Sequence, residues 1–275
     1  MKQGQTRILT ALVGIPFVLG LVWLGGWYFF GLITLIALGA QFELVRMLQS
    51  SKWQVSLLWT LILGGTVVLR PVLPMWEGWM LFVTLLFAVF QLRSGPDRIQ
   101  ERMASSILCA IYPVLMISFL IDIQEAAHFA LGEGGAFWLM LLLLGLIWAT
   151  DTGAYYTGKS IGKRKLAPSI SPNKTWEGTI GGLVLAFIVG SVFKTTLLPE
   201  LSWIDVTVLA FLGGAWGQMG DLLESAFKRS VGVKDSGSVL PGHGGLLDRF
   251  DSLIFTAPAY YLYLFYVTDL IGRSF

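Results

Sequence analysis

Apolar stretches of roughly bilayer-spanning length recur from one end of this sequence to the other, and that repetition dominates any reading of the fold. Uncharged or nearly uncharged runs fall at about 8–26, 28–45, 55–73, 78–92, 103–121, 136–157, 176–193, 203–223 and 252–271. Each is close to the ~20 residues a helix needs to cross a bilayer. The fold class expected is all-α: a polytopic helical integral membrane protein of about nine transmembrane helices. Charged residues make up only 13% of the chain and hydrophobic residues 55%, about half the charged share usual for a soluble domain, so an ordinary soluble enzyme is excluded. The first apolar run, from about Ile8 to Leu24, has no small-residue cleavage site and further spans follow at once. It reads as a retained helix rather than a removed signal.

The distribution of Lys and Arg orients the chain, because cytoplasmic loops keep an excess of them. With the N-terminus cytoplasmic, inner segments hold sixteen of the 19 basic residues, and outer segments hold only Arg70, Lys194 and Arg273. The outer segment near 122–135 carries Asp122, Glu125 and Glu133 without a base. The chain therefore reads as one transmembrane domain over 1–275, with scaffold helices over roughly 1–125 and catalytic helices and cytoplasmic loops over roughly 136–275. Its two longest polar segments, about 158–175 and 224–251, both face the cytoplasm. A multi-pass protein of the cell's inner membrane with its active site facing the cytoplasm is expected.

The net charge of +2 is scattered, without the basic stripe of a nucleic-acid binder. One cysteine, Cys109, and two histidines, His128 and His243, cannot assemble a disulfide or a Cys/His zinc site, so any metal must be held by oxygen. Gly178 to Gly182 and Gly213 to Gly217 have the four-residue spacing that lets helices approach closely. This reads as helix packing, and such faces are equally compatible with a homodimer.

Three acids sit at or just within expected helix ends: Asp151, Asp221 and Glu224. A carboxylate near hydrocarbon costs about 2.5–3.5 kcal/mol and persists mainly where it pairs, faces water or binds an ion. On a helix Asp221, Glu224, Ser225 and Lys228 share one face by i, i+3, i+4, i+7 spacing. The loop beyond, SVGVKDSGSVLPGHGGLLDRFDS, is dense in Gly and Ser and contains Lys234, Asp235, His243, Asp248, Arg249 and Asp251. Its glycines permit the close backbone approach of a phosphate-wrapping loop. Asp221 and Asp248 flank that loop, so a hairpin of the last two helices would bring them together as ligands of the kind Mg²⁺ prefers. Lys174 lies between a proline turn and a helix starting near Trp176, where a triphosphate can meet both an ammonium and a helix N-terminus.

Two other patterns fail. Gly153 to Ser160 satisfies G-x-x-x-x-G-K-[ST], but it follows an apolar helix where a strand is required, and prolines come soon after. No G-x-S-x-G elbow is present, and no nucleophile partner for His243 is visible, so a hydrolase triad is unsupported.

The residues from Ser225 to Asp251, SAFKRSVGVKDSGSVLPGHGGLLDRFD, resemble the signature of the phosphatidate cytidylyltransferases, or CDP-diacylglycerol synthases. The matching positions are Ser225, Lys228, Arg229, Lys234, Asp235, Gly237, Leu240, Pro241, His243, Gly244, Gly245, Asp248, Arg249 and Asp251. The stretch SPNKTWEG, Ser171 to Gly178, resembles the family's second cluster, with Asn173 where a base is expected. The resemblance implies attack of a phosphatidate phosphate oxygen on the α-phosphorus of CTP, releasing pyrophosphate and leaving CDP-diacylglycerol for phospholipid synthesis. Metal-assisted positioning and charge neutralisation suffice for such chemistry. On this basis Asp221 and Asp248 are expected to bind Mg²⁺, with Asp251 or Asp151 as a further ligand and a monovalent cation such as K⁺ as an optional companion. Asp221, Asp248, Lys228 and Arg249 form the expected catalytic set. Ser171, Lys174, Ser225, Arg229, Lys234, Asp235 and His243 are expected to bind CTP and phosphatidate. A transporter would place its carboxylates in broken helices near the midplane, and a bare scaffold would leave the acid-bounded loop without a purpose.

Overall fold

The computed structural model describes residues 3–51, 53–237, 239, 244–268 and 270–271, with side chains from Leu12 onward. The chain runs α1 (Gln3–Leu24), α2 (Gly26–Ser50), α3 (Leu57–Val68), α4 (Trp76–Arg93) and α5 (Ile99–Cys109), which passes through a π-helical turn (Ala110–Leu115) into α6 (Met116–Ile161). A hairpin of β1 (Lys165–Ala167) and β2 (Ser171–Thr175) leads to α7 (Trp176–Thr196). Then come α8 (Trp203–Phe211), a π-helical turn (Leu212–Trp216), α9 (Gly217–Ser230) and α10 (Leu247–Leu262), which ends in a third such turn (Tyr263–Val267).

The protein is nearly all-α and has the helices of a membrane protein. Among the described residues, Gly26–Ser50, Ile99–Ile161, Trp176–Thr196 and Trp203–Ser230 are long and apolar enough to cross a bilayer, and Leu12–Leu24 and Leu57–Val68 are shorter apolar helices. On α7 the apolar side chains Ile180, Val184, Ile188 and Val192 are exposed. They form an outward face suited to lipid tails.

The structure departs from the hydropathy reading in two places. The nearly all-α fold is interrupted by a small antiparallel hairpin, in which Lys165 pairs with Thr175 and Ala167 with Ser171. Pro168 and Pro172 deny helical hydrogen bonds there. The side chain of Glu177 instead accepts the backbone N–H groups of Lys163 and Arg164 at 3.1 and 3.2 Å, tying the hairpin's entry to the start of α7. The segment near 122–135, expected as a loop, is helical on both sides of Gly132, where φ is 72° and ψ 178°. Glycine reaches that conformation without a Cβ clash, so the chain turns within one residue. As the i, i+3, i+4, i+7 spacing requires, α9 continues to Ser230, carrying its polar face beyond the apolar run that ends near 223.

α6 and α10 lie at the centre of the fold, with Leu139, Leu143, Leu146, Ile254, Ala257 and Tyr260 among their buried side chains. α6 and α7 meet through small residues. A Cβ added at Gly153 would lie 2.7 Å from the Gly181 carbonyl oxygen, and one added at Gly182 would lie 2.7 Å from that of Thr150. The stretch Gly153–Ser160 is therefore helix within α6, and Gly153 serves the crossing rather than a phosphate loop.

Candidate active site

One face of α9 meets α10 and the approach to α7. Lys174, at the end of β2, places Nζ 2.5 Å from Asp221 Oδ2, and Ser225 Oγ donates to Asp221 Oδ1 at 3.3 Å. One turn on, Lys228 Nζ lies 2.6 Å from both Glu224 Oε2 and Asp248 Oδ1. Asp221, Glu224 and Asp251 bring carboxylate oxygens within 4.8 Å of one another, Glu224 being fully buried and Asp251 9% exposed. Three such groups repel unless cations compensate them. Lys174 pairs with Asp221 at one side of this trio and Lys228 with Glu224 at the other.

The loop between α9 and α10 closes on Asp248. Its Oδ2 accepts the N–H groups of Ser236 and Gly245, and the Ser236 hydroxyl, all at 3.0 Å, while Lys228 takes Oδ1. Spacing along the sequence pairs Asp221 with Asp248 across this loop. In the structure the α10 carboxylate converging on Asp221 and Glu224 is Asp251, one turn further along. The physical reason lies in the helix start. α10 begins at Leu247, so Asp248 sits among free backbone N–H groups of the loop and first turn, while Asp251 projects from a position the neighbouring helix can reach.

Of the other residues singled out from sequence, Asp151 on α6 and Arg249 on α10 line the same cavity as Asp221, Lys228, Asp248 and Asp251. Arg229 is exposed and donates to the Val233 carbonyl at 2.9 Å. Ser171 is half-buried on β2, and Lys234 and Asp235 are exposed on the loop; none of these three joins the ion-paired cluster. His243, with Leu240 and Pro241, lies outside the described residues. One residue escapes the sequence reading: Glu43 on α2, 3% exposed, whose Oε2 accepts from Ser236 Oγ at 3.0 Å and Leu247 N at 2.9 Å. The available signal was an acid inside an apolar run.

The cavity has a volume of about 690 Å³. Apolar side chains of α1, α2 and α6, among them Ile15, Val18, Leu32, Ile36, Leu144 and Trp148, line it together with Asp151, Asp221, Lys228, Asp248, Arg249 and Asp251. Such a site suits a molecule with a hydrocarbon part and an anionic head that is to meet a second anion.

Comparison with known proteins agrees with this chemistry. Residues 5–267 match the model of the cytidylyltransferase family. The chain belongs to that family. This cytidylyltransferase-family chain is 36% identical over 271 residues to the phosphatidate cytidylyltransferase of Bacillus subtilis (strain 168), covering 96% of the chain and 98% of that protein. It is 34% identical over 281 residues to the phosphatidate cytidylyltransferase of Brucella abortus, covering 100% and 99%. A 134-residue stretch, 49% of the chain, is 48% identical to part of the uncharacterized protein YnbB of Escherichia coli (strain K12), covering 44% of that protein.

Proposed function

We propose that this chain transfers the cytidylyl group of CTP to phosphatidate, giving CDP-diacylglycerol and pyrophosphate. The observation that carries this reading is a single cavity lined both by apolar side chains of α1, α2 and α6 and by the ion-paired residues Lys228 and Asp248 of α9 and α10. It is joined by similarity over nearly full length to proteins named phosphatidate cytidylyltransferase. The diacyl substrate would enter sideways along the apolar side chains, and its phosphate would reach Lys228 and Arg249.

The donor set fits a divalent cation. Asp221, Glu224 and Asp251 offer oxygen alone, the ligand type Mg²⁺ takes, and their mutual closeness calls for positive charge. These three would hold the metal, with Asp151 and Asp248 beside them. When bound, Mg²⁺ would supply charge neutralisation for the transferring phosphate.

The chain's own groups do the rest. Lys174, released from Asp221, would bind CTP phosphates at the start of α7, whose N-terminal dipole adds to the attraction. A phosphatidate oxygen then attacks the α-phosphorus, forming the new P–O bond as the bond to the bridging oxygen breaks, and pyrophosphate leaves with that electron pair. The phosphate monoester is largely ionised near neutral pH, its second pKa being about 6, so no dedicated base is needed. Lys228 and Arg249 would offset the lipid phosphate's charge, and positioning with charge neutralisation supplies most of the rate.

We place the site on the cytoplasmic side of the cell membrane, in a chain of nine crossings with its N-terminus inside. The ion pairs fit this grouping of the segments, which the excess of Lys and Arg then orients. Arg70 pairs with Asp122, both assigned outside, while Lys174, Lys228 and Arg98 pair with acids assigned inside. None of the ion pairs among the described residues joins the two groups.

The test is incorporation of radiolabelled CTP into lipid by the purified protein with phosphatidate and Mg²⁺. Product should require phosphatidate, diacylglycerol should not replace it, and EDTA should abolish it. Asp221→Asn and Asp251→Asn should each lose on the order of 10³-fold in kcat, as expected when a charge-stabilising element of the reaction is removed. A folded wild type that forms no CDP-lipid would overturn the reading.

A further inference from the structure

The carboxylate of Glu43 has no part in the chemistry above, yet it sits against the backbone of the loop that does. We propose that Glu43 is a positioning residue of the transfer reaction, the point at which the N-terminal helices fix the loop between α9 and α10. The inference rests on the function proposed above and adds a residue to it.

Three sets of observations carry it. First, one oxygen of Glu43 accepts both from within the loop and from the first residue of α10, Ser236 Oγ at 3.0 Å and Leu247 N at 2.9 Å. Second, the loop backbone lies directly on the carboxylate. A Cβ at Gly237 would come 2.6 Å from Glu43 Oε1, and one at Gly245 would come 2.5 Å from Oε2 and 2.8 Å from the Gly237 backbone nitrogen, so side chains at these positions would displace the carboxylate or the loop. Third, the contacts run on without a break into the ion-paired cluster. Ser236 touches Asp248 through N and Oγ, Asp248 holds Lys228, and Lys228 holds Glu224 of the carboxylate trio.

The residue just after α2 holds the loop as well, since Ser51 Oγ donates to the Val231 carbonyl at 3.1 Å. Glu43, however, is the α2 contact that reaches Asp248 through a single intervening residue. A buried carboxylate costs free energy wherever it stands, and simple packing of α2 against α10 would be served by a leucine. What a leucine cannot do is accept Ser236 and Leu247 together.

The experiment compares wild type, Glu43→Ala, Glu43→Gln, Ser236→Ala and the Glu43→Ala/Ser236→Ala double variant, all purified in detergent. Two readouts are taken: steady-state kinetics of CTP incorporation, and hydrogen–deuterium exchange of the peptides covering 231–251. In Glu43→Ala, kcat should fall on the order of 10²-fold, the scale of a displacement of about 1 Å in a positioned group, with the KM for CTP changed little. Exchange at Ser236, Gly245 and Leu247 should quicken while α6 and α7 stay protected. Glu43→Gln, which keeps one carbonyl acceptor, should recover most of the rate. The double variant should be little worse than Glu43→Ala alone, since residues acting through one contact do not add.

A folded Glu43→Ala that keeps wild-type kcat and wild-type exchange in the loop overturns the proposal, as do losses that multiply in the double variant. If Glu43→Ala does not fold, Ser236→Ala and Glu43→Gln decide. A slowed Ser236→Ala with quickened exchange supports the proposal, and wild-type behaviour in both variants overturns it. Should the wild type itself form no CDP-lipid, the functional reading fails, and loop exchange alone then tests whether Glu43 holds the loop.

Discussion

The two helix junctions nearest the site are built on opposite principles. Where α6 crosses α7, backbone meets backbone through Gly153, Gly181 and Gly182, and no ion pair joins the two helices among the described residues. Where α9 meets α10, Lys228 spans Glu224 and Asp248, and Asp251 approaches Asp221 and Glu224. Close apolar packing makes a platform whose geometry is indifferent to ions. The charged junction is held by groups that phosphates and a cation would also seek, so the contacts stabilising it are those that substrate binding must rearrange. The contrast teaches that the fold separates what stays from what exchanges.

Lys228→Met breaks the comparison most sharply. It leaves Glu224, fully buried, without its cation, and stranding one partner of a buried pair typically costs about 3–5 kcal/mol. The unfolding midpoint in detergent should fall accordingly, and activity should be lost. Added Mg²⁺ sharpens the test. If the trio binds the metal, stability should rise with its concentration by mass action, narrowing the gap between variant and wild type. A midpoint indifferent to Mg²⁺ in both proteins would count against the trio as the metal site.

At the other junction, Gly182→Ala should cost about 1–3 kcal/mol, because the new methyl meets the Thr150 carbonyl and overpacking forces backbone shifts. This loss should not respond to Mg²⁺ at all. Gly31→Ala on α2 is the matched control. A Cβ there meets nothing within 4 Å, so the change should be neutral or stabilising by up to about 1 kcal/mol.

How much of this was legible beforehand follows from the same contrast. Hydropathy reports composition along a rod, so the apolar helices and the two polar segments could be read directly. The i, i+3, i+4, i+7 spacing placed Asp221, Glu224, Ser225 and Lys228 on one face, and α9 bears that out. Spacing does not report how deep a neighbouring helix sits, so it could not show that Asp248 turns into the loop while Asp251, already expected as a further ligand, is the α10 carboxylate beside Asp221 and Glu224. Glu43 was illegible for a related reason. An isolated acid within an apolar run looks like an interfacial charge until the chain folds back some two hundred residues later. The hairpin of β1 and β2 was visible only as a proline-broken polar stretch, since a short strand pair depends on Glu177 and on the end of α6 to hold its register.

The smallest predicted loss lies at the point where the two junctions communicate. Thr175, 5% exposed, caps α7 by accepting the Gly178 N–H at 3.1 Å, and it directly follows Lys174, the base paired with Asp221. A Cβ at Gly158 would come 3.1 Å from its hydroxyl oxygen, so the cap is wedged against the end of α6. Thr175→Ala removes the hydroxyl and should cost about 1 kcal/mol, the usual value of such a cap, while Thr175→Ser, which keeps the acceptor, should cost less. If the packed junction is a passive platform, stability alone should change and kcat/KM for CTP should match wild type. If it also holds Lys174 in place, fraying of the first turn should lower kcat/KM by about tenfold or less, and Thr175→Ser should restore it. Measuring both variants at saturating and limiting CTP separates these outcomes, because a misplaced Lys174 acts on nucleotide capture, whereas a weakened cap acts on the unfolding midpoint.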